Sequence, residues 1–112
     1  MRKVAALLLI AAAFTAYADN GNLAGSYRGP SEGYGLVIEM APDGKLRGNY
    51  VELGHVAVLN AIEVEGERFT ANASFDDGST RRLTGSFSRR GIRVDDVPIE
   101  DVGAVETFFE RL

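Results

Sequence analysis

The chain has 112 residues, a formal net charge of −4, one histidine and no cysteine. That length holds one hydrophobic core, and the acidic balance argues against general nucleic-acid binding, which needs a basic footprint. The missing thiols exclude disulfide staples, a lipoprotein anchor and cysteine-based zinc or redox chemistry.

The first 18 residues read as a cleaved export signal. Arg2 and Lys3 supply a positive start, Val4 to Phe14 is an unbroken apolar run, and Ala16-Tyr17-Ala18 offers the small-x-small pattern of a cleavage site. The run is shorter than the roughly 17–25 residues of a spanning helix, and no second apolar segment follows. A retained N-terminal anchor is the alternative. Cleavage after Ala18 would remove two positive charges and no negative ones, taking the net charge from −4 to −6 on residues 19–112. The expected product is one periplasmic or secreted domain over 19–112, monomeric and with no membrane span.

Leu-x-Gly-x-aromatic then recurs three times, as Leu23-Ala-Gly25-Ser-Tyr27, Leu46-Arg-Gly48-Asn-Tyr50 and Leu83-Thr-Gly85-Ser-Phe87. At the strand period of two, the leucine, glycine and aromatic share a face. Glycine inside a strand marks a bend, or a place where a neighbouring ring lies over bare backbone. Turn signals punctuate the rest: Pro42-Asp43-Gly44, Gly54-His55, Glu65-Gly66-Glu67, Asp76-Asp77-Gly78-Ser79 and Arg89-Arg90-Gly91. Strand and tight turn alternating about every ten residues describe an all-β antiparallel meander.

Alternation assigns the dry faces to Leu36, Ile38 and Met40, then Leu46, Gly48 and Tyr50, then Val56, Val58, Ile62 and Val64. Phe69, Ala71, Ala73 and Phe75 follow, then Leu83, Gly85 and Phe87, then Ile92 and Val94. The last segment is open to two readings. Ile99, Val102, Val105, Phe109 and Leu112 fit a helical stripe, whereas Val105, Thr107 and Phe108-Phe109 favour a strand that closes onto the first. The strand is preferred, with a short helix as alternative. It makes eight: 23–28, 35–41, 45–53, 56–64, 68–75, 80–88, 91–96 and 104–111, the number that closes a small barrel.

Leu23-Ala-Gly25-Ser-Tyr27-Arg-Gly29, an amphipathic strand, Asp43-Gly44 and Leu46-Arg-Gly48-Asn-Tyr50 together resemble small exported bacterial lipocalin-like (calycin-type) barrels. The resemblance covers about a third of residues 19–112. It implies a non-enzymatic binding module, with a small apolar ligand held among inward aromatics. Tyr27, Tyr34, Tyr50 and Phe87 are the candidate ligand contacts. One such group, the N-terminal domain of the copper-stress outer-membrane lipoprotein, carries Cys-x-x-Cys after its first strand. This chain has Pro30-Ser31-Glu32-Gly33 there, so a metal or redox role does not carry over.

Catalytic patterns are sparse. No Gly-x-Ser-x-Gly elbow accompanies His55, which reads as an exposed turn histidine. Asp76 and Asp77, or Asp95, Asp96, Glu100 and Asp101, lack calcium-loop spacing, and Asp beside Gly is ordinary turn chemistry. No carboxylate pair stands out for glycoside hydrolysis, and the glycine-rich Gly29–Gly35 stretch lacks a phosphate-loop lysine and precedes a strand. No enzyme activity and no cofactor are expected.

Two segments remain. The Gly29–Gly35 connection, with Tyr34, would serve as a lid or a plain turn. Arg81, Arg82, Arg89, Arg90 and Arg93 fall on one hairpin and could gather into a patch for an acidic or phosphate-bearing partner. Their alternative role is edge protection. The partner classes expected are therefore an unidentified small molecule or an envelope protein, the latter met through the loop or the arginine hairpin, as an inhibitor would be.

Overall fold

The computed structural model describes residues 23–112. The expected export signal lies outside the described residues. Eight strands follow in order: β1 (Gly25–Arg28), β2 (Gly35–Met40), β3 (Leu46–Glu52), β4 (His55–Glu65), β5 (Arg68–Phe75), β6 (Thr80–Phe87), β7 (Gly91–Ile99) and β8 (Gly103–Arg111). Each pairs antiparallel with the next, and β8 returns to β1 to close the barrel. The last segment is therefore the strand and not the helix. Closure is narrow: Tyr27 faces Arg111, Arg28 faces Glu110, and the Leu112 N–H donates to the Ser26 carbonyl at 2.9 Å. One barrel end carries the 29–34, 53–54, 76–79 and 100–102 connections. The opposite end carries 41–45, 66–67 and 88–90, together with Leu23 and Leu112.

Neighbouring strands come unusually close where Gly48 and Gly85 stand. A side chain added at Gly48 would overlap the Val37 carbonyl, and one at Gly85 the Arg93 carbonyl. The Phe69 ring also lies 2.8 Å from where a Gly85 methyl would project. Strand pairing this close is available only to a residue without Cβ.

Two strands carry an extra residue. Across β4 and β5, Asn60 pairs with Asn72 but Glu63 pairs with Thr70, so a bulge absorbs one residue at Ala61, whose φ is +50°. The bulge reverses the facing of β4. Ala57 and Leu59 point inward before it, and Ile62 and Val64 pack on the core after it. Val56 and Val58, expected inside, are 45% and 56% exposed, because Tyr50 pairs with Ala57 and fixes the odd residues inward. In β7, Val94 faces Thr107 and Val97 faces Val105, with Asp96 at φ +55° taking up the extra residue. The inward series passes from Ile92 and Val94 to Val97, and the strand runs on through Pro98 to Ile99. Pro98 has no N–H to give, and it sits where β7 pairs with β8 alone.

Candidate functional site

The inward faces are packed. Tyr50, Phe109, Leu59, Leu83, Ile92, Val94 and Val97 are fully buried. The Tyr50 ring lies edge-on to Phe75 (6.5 Å between centroids) and tilted against Phe109 (6.0 Å). An oriented ion pair enters this interior at the end that carries the 53–54 and 76–79 turns, while a half-buried Arg111 lies over Tyr27 at the other. The inward series of β3, Leu46, Gly48 and Tyr50, continues to Glu52. The inward series of β6, read backwards through Phe87, Gly85 and Leu83, continues to Arg81.

The two meet inside the mouth. Arg81 grips both Glu52 oxygens, Nη1 donating to Oε2 at 2.7 Å and Nη2 donating to Oε1. Nη2 also donates to the Tyr50 hydroxyl at 3.4 Å. The Glu52 side chain is 9% exposed and that of Arg81 33%. A two-pronged guanidinium–carboxylate contact fixes orientation as well as charge. The pair borders a cleft of about 440 Å³, also lined by His55, Phe75, Asp76, Asp77, Ser79 and Thr80. His55 pairs directly with Glu52 across the Leu53-Gly54 turn, so it stands on the rim of this cleft. Asp77 is pinned there by the Ser79 hydroxyl (2.6 Å) and N–H (2.8 Å), which hold its carboxyl below the usual carboxylate range.

Burial raises the Tyr50 hydroxyl far above its ordinary 10.0, with the Glu52 carboxylate adding to the effect and Arg81 opposing it. Burial likewise raises Tyr27, against the pull of Arg111. Both phenols keep their protons in the folded chain, while the unfolded chain loses them near the ordinary value. Above about pH 10 the unfolded state therefore binds fewer protons, and stability, complete below that pH, falls as alkalinity rises. In an alkaline titration, tyrosinate absorbance from Tyr27 and Tyr50 should rise together with the loss of far-ultraviolet circular dichroism. A rise from both while the strand signal persists would contradict this packing.

The expected ligand contacts do not line one hollow. Tyr50 is core. Tyr27 lies under the Arg111 guanidinium (4.9 Å) and donates to the Leu23 carbonyl at 2.5 Å, at the closing seam. Phe87 is buried next to the 88–90 turn, at the far end. Tyr34 is half-buried and donates to the Pro98 carbonyl at 2.9 Å, while the Gly54 N–H donates to the Gly33 carbonyl at 3.0 Å. The 29–34 connection is thus tied across the end that holds Glu52 and Arg81.

The arginines are divided too. Arg81 points inward and Arg82 outward, beside Glu63, Thr70 and Thr84. Arg89 and Arg90 sit on the far-end turn, roughly 25 Å away along β6 at strand rise. Arg93 lies outside, paired with Glu106 at 3.1 Å and stacked over Phe108 at 5.7 Å. Among the described residues, no three His, Asp or Glu side chains gather as a metal site. Comparison with protein-family models, curated proteins and solved structures returned no match.

Proposed function

We propose that the chain is a small exported binding module, lipocalin-like in architecture and without catalytic chemistry, whose ligand seats in the Glu52–Arg81 mouth rather than deep in the barrel. The observation that carries this reading is an oriented ion pair turned inward at one end of the barrel core. A buried pair is a poor source of stability, because desolvation offsets most of the Coulombic gain. A polar handle beside apolar surface is what small-molecule sites use to orient a ligand. Here Phe75 offers the apolar wall and Arg81 the handle for a carboxylate or similar head group. Export rests on the pattern in residues 1–18.

Native mass spectrometry of protein purified gently from an exporting host tests this reading. A small adduct is expected on the wild type and not on a folded Glu52→Leu/Arg81→Met double variant. An adduct kept equally by both would remove the mouth as the seat, and a clean mass for both would count against ligand binding.

A second reading, contact with an envelope protein, draws on one observation. Arg89 and Arg90 are exposed at the far end beside Phe108, and neither is ion-paired with a described carboxylate. Arg89→Ala/Arg90→Ala would abolish partner capture under that reading and leave the mouth adduct unchanged.

A further inference from the structure

The barrel closes unevenly, and the β7–β8 hairpin outruns both neighbours. β6 pairs with β7 only from Ile92 to Val94, and β1 pairs with β8 only at Glu110 and Arg111. Among the described residues, each outer edge of the hairpin therefore has a stretch without a strand partner, and the two stretches differ. The β7 edge holds the devices that discourage strand addition: the bulge at Asp96, two adjacent acids, and Pro98 with no N–H. The Thr84 hydroxyl also ties it across the seam, donating to the Asp95 carboxylate at 2.8 Å. The β8 edge, Gly103-Ala-Val-Glu-Thr-Phe-Phe109, has no proline, lysine or bulge, and its residues favour strands. Val105 and Phe108, at 37% and 40% exposed, lie along it, and Val102, 66% exposed, stands in the turn that leads into it.

We propose that this edge pairs antiparallel with the same edge of a second copy, centred on Val105, giving a two-fold dimer with one sheet running through both barrels. The sequence is self-complementary in that register. Val105 faces Val105 of the second copy, Val102 faces Phe108, Ala104 faces Glu106, and Gly103 faces Thr107. Exposed apolar residues meet each other, and each glutamate meets a small neutral residue. Centring on Glu106 would oppose two like carboxylates, and centring on Ala104 would set Val102 against Glu106. This proposed dimer departs from the monomer expected from sequence, and its basis is independent of the mouth and its ligand.

The chain lacks cysteine, so one introduced thiol reports on one contact. Opposed residues in antiparallel strands lie about 4.5–5.5 Å apart at Cα, within disulfide reach. Val105→Cys should cross-link under mild oxidation much faster than Val58→Cys, an exposed position on β4. Sedimentation velocity from micromolar to millimolar protein should show a dimer fraction that grows with concentration. Val105→Lys and Val105→Glu should each weaken it by roughly tenfold, and an equimolar mixture of the two should restore it. Should a charged variant not fold, the cysteine comparison decides alone. A wild type monomeric throughout the range overturns the proposal, and so does Val105→Cys linking no faster than Val58→Cys.

Discussion

Replacing Gly85 with alanine should lower stability by about 3 kcal/mol, at the upper end of what overpacking costs. The methyl would enter the space of the Arg93 carbonyl oxygen and stand 2.8 Å from the Phe69 ring. The carbonyl cannot step aside, because it belongs to the strand paired with Gly85 through Val94. Only three residue pairs join β6 to β7, so a displaced Arg93 disturbs the whole of that junction. For a domain of this size the loss corresponds to a fall of roughly 12–24 °C in melting temperature. Gly35→Ala is the control. Its added methyl meets only the Tyr27 carbonyl oxygen, at 3.8 Å, and should change stability by less than about 0.5 kcal/mol. Urea denaturation of both variants measures the contrast directly. Equal midpoints would mean that the sheet relaxes around Gly85, and that the repeated glycine is not there to admit a close strand.

The glycine repeat was legible because its signal is local: three residues at one offset, with Gly48 and Gly85 against a neighbouring strand's carbonyl and Gly25 beside the Tyr27 ring. The hairpins were legible for the same reason, Asp-Gly and Glu-Gly being turn chemistry wherever they occur. The facing of β4 was not. From Val56 to Val64 apolar residues occupy both parities, so alternation cannot choose a face, and the decision falls to the register with Tyr50 and to the bulge at Ala61. The seventh strand is expected to end at Asp96, yet β7 continues through Pro98 to Ile99 with Asp96 absorbed into a bulge. Glu52 carries no local signal and Arg81 reads with the hairpin arginines, although both sit on the inward parity of their strands. A charge at the last inward position looks like the end of a strand. Only the closed barrel brings position 52 against position 81, and no local pattern carries that contact.

Single and double substitutions of that pair should give costs that are strongly non-additive. Arg81→Met leaves the Glu52 carboxylate 9% exposed and without its counter-charge, which should cost about 3 kcal/mol. Glu52→Leu leaves a guanidinium that is a third exposed and can turn toward water, so its cost should be nearer 1–2 kcal/mol, roughly. The double variant puts two apolar chains of similar volume beside Phe75 and Tyr50, and should return to within about 1 kcal/mol of the wild type. The cycle then yields a coupling of about 3–5 kcal/mol, large because each single change strands the other charge. Denaturant unfolding of the four proteins measures it. Additive costs would mean that the charges are separately solvated and that the mouth holds no organised pair. A double variant as stable as the parent makes the pair dispensable for folding, so any ligand adduct it loses is lost from the site and not from the fold.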